Sequence, residues 1–387
     1  MTKLNNPSYL SRICAMSLIE SKRVRHIEMS LLRIIMAMAP PDAVNMALGE
    51  LGFAMPQGLR DYAAELLKTE TPRYTANAGI PELKEAVAHY HHNAYSPEGV
   101  CVTNGAEEAI YAAMMAFLNP GDKIAIVEPF YPAYATIVGI CEAELVPLPH
   151  EPNLTTINWD KWERLLAQNV KVLLFSNPSN PLGTFFSEAE INRICLLAKK
   201  YELLILADEI YHDLYIDTEP VSFAGKIPNL ILISGVSKSY CMSGWRMGWA
   251  IGPEKLVNPI IRAHQYISTC AGWLAQKVTV KALKDGQVWL DEVRSHLRKT
   301  FLFTINHLQK QLSSIPLLLP TSTPYIMLQF GGDDYEACSR AAKHGVITVP
   351  GRAFGTNSTG WIRINYALEQ PLLERGLSIL TKQLSSL

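Results

Sequence analysis

The chain has 387 residues, 48% of them hydrophobic, which is enough for a large core divided between a major and a minor domain. Its 35 basic and 36 acidic side chains leave a formal charge of -1, so no basic footprint for nucleic acid is present and small-molecule chemistry is expected. Seven scattered cysteines without a Cys-x-x-Cys pair read as reduced, mostly buried thiols, and the longest apolar run, Leu31 to Ala39, is about half a membrane span; with no apolar leader in Met1–Pro7, a cytoplasmic protein is expected.

In chain order, residues 1–55 form a segment expected to pack with the C-terminal part. Residues 56–284 form the large domain and 285–387 the small one. Near the start of the large domain His89, His91 and His92 lack metal-ligand spacing and are expected on one polar helix face, with no metal. From Gly105 to Pro253 helical stretches at Ala106–Leu118, after Pro132, at Trp159–Gln168 and at Glu188–Tyr201 alternate with apolar runs. Those runs are Lys123–Val127, Glu144–Pro147, Val172–Phe175, Leu203–Ala207 and Leu230–Ser234. Such alternation predicts an α/β fold, a mostly parallel central sheet with helices on both faces, whose ligands bind at the carboxyl ends of the strands. After Lys284 a long helix Val288–Leu312, strands at Tyr325–Phe330, Val346–Val349 and Trp361–Asn365, and a helix from Leu372 predict a smaller α+β unit.

Four segments that follow apolar runs carry the chemistry. Val102-Thr103-Asn104-Gly105-Ala106-Glu107 places a glycine at a helix start, where free N–H groups and the positive end of the helix dipole bind a phosphate. Asn177-Pro178-Ser179-Asn180-Pro181 holds its amides on two rigid Asn-Pro steps, with Asn180 suited to donate to a phenolate-type oxygen. Asp208 closes the run Leu203–Ala207, with Tyr211 three residues on. A buried carboxylate about 3 Å from a pyridine nitrogen, at an effective dielectric of ~20, attracts its proton by about 5 kcal/mol before desolvation, which keeps the ring an electron sink. Gly235-Val236-Ser237-Lys238 follows Leu230–Ser234, and Arg246 stands eight residues beyond the lysine. A lysine in a loop of small residues with an arginine nearby suits a Schiff base to pyridoxal 5'-phosphate with its phosphate clamped.

In combination these motifs resemble those of the fold-type I, pyridoxal-phosphate-dependent class I/II aminotransferases, a resemblance that runs from about Asn45 to Tyr366. It implies that Lys238 is the Schiff-base lysine, that Asp208 faces the pyridine nitrogen, and that Tyr211 and Asn180 contact the 3-hydroxyl. The phosphate would lie against Gly105, Ala106 and Glu107, joined by Ser237 and Arg246. Tyr131, in Glu128-Pro129-Phe130-Tyr131, resembles the aromatic that stacks on the ring, and Tyr74 the tyrosine that reaches the phosphate of a neighbouring subunit, so a homodimer with shared sites is implied. Arg363 resembles the arginine that takes the substrate α-carboxylate, with the backbone of Gly49 and the side chain of Asn180 beside it.

The implied activity is transfer of an amino group from an L-amino acid to a 2-oxo acid. Lys238 would take up and return the α-proton, its amine kept available near neutral pH by charged surroundings. The sequence departs from the family pattern at Leu51-Gly52, Leu182, Gly235 and Arg352, and the departures at Leu51, Gly52 and Arg352 leave a lyase or cyclase on the same scaffold as the alternative. The missing hydroxyl at Gly235 is expected to weaken the phosphate grip, and Arg352 and the run Cys270-Ala271-Gly272-Trp273 to reshape the substrate pocket. No Gly-x-Gly-x-x-Gly follows a predicted strand, which argues against a dinucleotide-dependent dehydrogenase. The neutral charge and the lack of an added recognition module argue against a DNA-binding regulator.

Overall fold

A computed structural model describes residues 20–25 and 27–385 of the protein. Cys14 and Met1–Pro7 lie outside the described residues. Ahead of the large domain, β1 (Val44–Asn45) pairs in parallel with a strand from the far end of the chain, as described below.

Seven strands build the large sheet: β2 (Val100–Thr103), β3 (Lys123–Glu128), β4 (Glu144–Pro149), β5 (Val170–Ser176), β6 (Leu204–Asp208), β7 (Leu230–Gly235) and β8 (Gly248–Ile251). Their order is β2-β8-β7-β6-β5-β3-β4, parallel throughout except that β8 runs antiparallel to both neighbours. Interior strands read as unbroken apolar runs because both faces are covered. Alternate residues split between the faces: Ile124, Ile126, Ile231 and Ile233 pack under the helices Ala106–Phe117, Ala133–Ile140 and Glu254–Ser268. Ala125, Val127, Leu230 and Leu232 pack under a second layer that includes Gln57–Thr69, Glu188–Lys200 and Trp273–Asp285. A strand with one buried face would show polar alternation, and none is needed here.

The predicted mostly parallel sheet with a smaller α+β unit is the observed architecture. β2 and β8 were not foreseen, since four residues bounded by glycine or a turn carry too little pattern to distinguish from a loop.

In the C-terminal part, β9 (Leu317–Leu318), β10 (Tyr325–Gln329), β11 (Val346–Ile347), β12 (Val349–Pro350) and β13 (Trp361–Asn365) alternate with the helices Asp334–Lys343 and Gln370–Leu384. The long helix Gln287–Gln311 leads into this part. The antiparallel sheet has the order β12-β13-β10-β9, while β11 leaves it to pair with β1. The apolar stretch Val346–Val349, expected as one strand, is therefore divided at Thr348 between two sheets. Val44 N–H donates to Gly345 O at 2.8 Å, Met46 N–H to Ile347 O at 2.9 Å and Asn365 N–H to Met46 O at 2.7 Å, so the N-terminal segment is stitched into this half.

His91 is buried, and Trp249 Nε1–H donates to its Nε2 at 3.0 Å. Burial lowers its pKa to about 3. The histidines therefore do not share one polar face: His89 and His92 are exposed, and His91 is a neutral acceptor in the core. Among the described residues no group of His, Cys, Asp and Glu is placed to hold a metal ion, and no helix is long and apolar enough to cross a membrane.

The Cys270-Trp273 run forms the turn before the helix Trp273–Asp285. Gln276, on that helix and fully buried, accepts from Ile80 N–H at 2.8 Å and donates to Thr75 Oγ1 and Ala271 O, both at 2.9 Å. Gln276→Ala orphans a buried N–H and a buried carbonyl, so chemical unfolding should show a loss of about 2–4 kcal/mol, whereas an exposed glutamine would cost almost nothing.

Candidate active site

The carboxyl ends of β5, β6 and β7 lie side by side, and each releases a loop with a functional side chain. Together they line a cavity of about 250 Å³. Asn180, Asp208, Tyr211, Ser237 and Lys238 reach it from these loops, and Ala106, Glu107 and Tyr131 from the neighbouring helix starts. Gly49 and Arg363 enter from the half of the molecule built by β1 and β13, and Arg246 from the loop before β8.

At the floor, Asp208 is 5% exposed. Tyr134 Oη–H donates to its Oδ2 at 2.6 Å and Ile210 N–H to its Oδ1 at 3.1 Å. Burial outweighs these bonds and raises the carboxyl pKa from 3.8 to about 6. No cation lies within 4.0 Å of it among the described residues, so a protonated ring nitrogen would supply the missing counter-charge. Tyr134 was not singled out in the sequence. Its signal was a tyrosine one helical turn after Tyr131, together with the rule that a buried carboxylate needs donors. The two tyrosine rings meet edge to face at 5.6 Å.

Lys238 is half-buried, and its Nζ donates to the carbonyl of Gly49 while lying 5.8 Å above the Tyr211 ring. Burial lowers its pKa to about 8, opposed by Glu50 and Asp208 and assisted by Arg246 and Arg363. Charged surroundings were expected to make this amine available; burial is the larger cause. Tyr211 Oη lies 2.7 Å from Tyr325 Oη, and Tyr325, from the first position of β10, is a further site residue that no local sequence pattern marked.

The helix Ala106–Phe117 starts at Gly105 with no side-chain cap, so its first N–H groups remain available to an anion. Gly105 has φ +97°, and a Cβ there would stand 2.4 Å from Arg246 Nη2, so only glycine lets the guanidinium close over the helix start. Arg246 Nη1 donates to Ser243 O at 2.9 Å, and among the described residues no carboxylate lies within 4.0 Å. A Cβ on Gly235 would meet Met247 O at 2.6 Å and the Cα of Gly248 at 2.9 Å. A serine hydroxyl at Gly235 has no room in this backbone arrangement, so the departure belongs to the packing of β7 on β8.

Arg363 is 4% exposed and held between two rings, its Cζ 4.1 Å from the centre of Tyr325 and 4.7 Å from that of Phe354. Its Nη1 donates to Asn180 Oδ1 at 2.7 Å and its Nη2 to Ala47 O, while Nε has no partner. No carboxylate of the described residues pairs with it. With Oδ1 engaged, the Asn180 amide keeps its Nδ2 donors free of partners among the described residues. Arg352, in contrast, is paired with two carboxylates: its Nε donates to Asp334 Oδ1 at 2.6 Å and its Nη2 to Asp333 Oδ1 at 2.7 Å. Tyr74 is 88% exposed and does not line this cavity.

These donors fit pyridoxal phosphate: a capless helix start and Arg246 for the phosphate, Asp208 for a pyridinium, and Lys238 for an aldehyde carbon. In the protein without cofactor, the burial cost of ionised Asp208 is absent below pH 3.8 and complete above about 6. Asp208→Asn should therefore be more stable than the parent at pH 8 by up to about 3 kcal/mol, from about two pKa units, with the difference closing on acidification through pH 6 to 4. Denaturant midpoints of the apo-proteins across this range test it.

The sequence model described as "Aminotransferase class I and II" matches residues 41–380. A probable aspartate aminotransferase of Methanocaldococcus jannaschii is 29% identical over 372 residues, covering 93% of this chain and 98% of that one. A probable N-acetyl-LL-diaminopimelate aminotransferase of Bacillus subtilis is 30% identical over 350 residues, covering 87% and 88%. Among solved structures, an aspartate aminotransferase from Thermotoga maritima superposes with a TM-score of 0.87 at 27% identity over 95% of this chain and all of that one. With the strand-end lysine and aspartate converging on one cavity and the sequence model spanning nearly the whole chain, the protein belongs to the class I and II aminotransferase family of pyridoxal-phosphate enzymes.

Proposed function

We propose that the protein moves an amino group from an L-amino acid to a 2-oxo acid, with pyridoxal phosphate attached covalently to Lys238. The observation that carries this reading is Arg363: a buried guanidinium with an unpartnered Nε and no carboxylate beside it, lining the same cavity as Lys238 and Asp208. Leaving a buried charge without a counter-ion is costly, and a substrate α-carboxylate would relieve it bidentately.

When bound, pyridoxal phosphate supplies an electron sink for the bonding pair of the substrate's α C–H bond. Asp208 holds the proton on the ring nitrogen. Tyr211 Oη and the free amide of Asn180 orient the ring oxygen, and Tyr131 covers the ring face. The N–H groups of Ala106 and Glu107, the hydroxyl of Ser237 and the guanidinium of Arg246 hold the phosphate. Once released from the cofactor, Lys238 Nζ would take the α-proton and return it to the former aldehyde carbon, on the far side of the amino nitrogen. A pKa near 8 leaves part of the amine unprotonated at neutral pH, as a general base requires. Residues 56–284 carry the cofactor in this scheme, while 1–55 and 285–387 bring the α-carboxylate clamp against it.

Purified protein with pyridoxal phosphate should show a visible absorption band that Lys238→Ala lacks. Amino acid plus 2-oxo acid should give parallel initial-rate lines and one new oxo acid per amino group moved. Ammonia released without an acceptor would instead identify a lyase, and a band that persists in Lys238→Ala would end the proposal.

A homodimer with shared sites accounts for Tyr74, an 88% exposed aromatic outside its own chain's cavity. Sedimentation should give twice the chain mass. Tyr74→Ala should raise the pyridoxal phosphate dissociation constant by about tenfold, as expected for loss of one charge-assisted hydrogen bond of about 1.5 kcal/mol.

A further inference from the structure

The Lys238 cavity adjoins a larger chamber of about 900 Å³, the two sharing Leu32, Leu48, Glu107, Tyr131 and Arg363. We propose that this chamber receives the substrate's side chain and selects a large apolar or aromatic one over a side chain with a second carboxylate. The inference rests on the reading that Arg363 takes the α-carboxylate, since the chamber begins at that guanidinium.

Much of the wall is apolar: Leu32, Tyr111, Ile137, Ile140, Val349 and Phe354 line the space. A second carboxylate would need a cation there, and the chamber's arginines are poorly placed to supply one. Arg363 is assigned to the α-carboxylate. Arg352 is held by Asp333 and by the fully buried side chain of Asp334, whose Oδ2 also accepts from the Arg352 backbone N–H at 2.8 Å. The third, Arg33, is exposed on the short helix Leu31–Met36. The same lining contains Glu28 and Glu107, both exposed and neither in an ion pair among the described residues. An entering carboxylate thus meets two unpaired acids for one solvated arginine. Glu108, also in this lining, is engaged by His264, Ser268 and Asn104, bonds that favour its ionised form. A phenylalanine- or leucine-like side chain meets hydrocarbon and gains from burial, while an aspartate-like one must shed water without acquiring a fixed partner.

The test compares kcat/KM of the holoenzyme for L-phenylalanine, L-leucine, L-alanine, L-aspartate and L-glutamate with one oxo-acid acceptor. Phenylalanine and leucine should exceed aspartate and glutamate by about tenfold or more, the discrimination expected of a pocket with several apolar contacts. An equal or better rate with aspartate or glutamate overturns this inference and leaves the aminotransferase reading standing. No oxo acid from any of the five sinks that reading, and the inference with it. Ile140→Trp, which narrows the chamber away from the cofactor loops, should lower kcat/KM for phenylalanine by about tenfold with alanine changed less than about twofold. An equal effect on both substrates, or none on either, places the side chain elsewhere and overturns the proposal.

Discussion

A buried carboxylate without a cation and a buried guanidinium without a carboxylate line one cavity, and much of the surrounding structure serves to keep them there. Asp208 is held by Tyr134 and the Ile210 amide, which soften its burial without neutralising it. Arg363 is held by Asn180, by the Ala47 carbonyl and by two aromatic faces, none of which carries a formal negative charge. Each buried ion is costly, and a ligand with a cationic ring nitrogen or a carboxylate would remove one penalty. Lys238 lines the same cavity with its own pKa lowered, chiefly by the same burial.

Precision of placement follows from the strand ends. Adjacent parallel strands deliver Ser176, Asp208 and Gly235 at the same edge, and short loops carry Asn180, Tyr211 and Lys238 forward from them. Arg363 comes from another sheet, paired with Met327 of β10 and Val349 of β12. Further bonds join the two halves. Phe130 N–H donates to Phe354 O at 2.9 Å, Tyr211 meets Tyr325, and Asn180 meets Arg363. A displacement of the C-terminal half would therefore move Arg363 relative to Lys238, while leaving Asp208 and Lys238 in place on the large sheet.

The division between common chemistry and individual specificity is visible in which charges are free. Asp208 and Arg363 are fixed by buried bonds, whereas Arg246 is exposed. Much of the chamber beyond them is walled by hydrocarbon, and its half-exposed Arg352 is paired with Asp333 and Asp334. Arg352 departs from the family pattern without adding a binding charge, because the acidic start of the helix Asp334–Lys343 neutralises it.

The sequence by itself determined the α/β alternation, the strand-end positions of Asp208 and Lys238 and the glycine-led helix start, because each is a local pattern: unbroken apolar runs, small-residue loops, and a backbone that only glycine tolerates. The Asn-Pro steps likewise marked Asn180, and the resemblance named Arg363. Tertiary structure alone decided that Tyr134 bonds Asp208, that Tyr325 meets Tyr211, that His91 is a buried acceptor and that Gly235 has no room for a side chain. It likewise divided Val346–Val349 between two sheets and revealed the four-residue strands β2 and β8. The physical reason is the same in each case: periodicity records which face of an element is dry, whereas the partner that satisfies a buried polar group is chosen by packing between residues far apart in the chain.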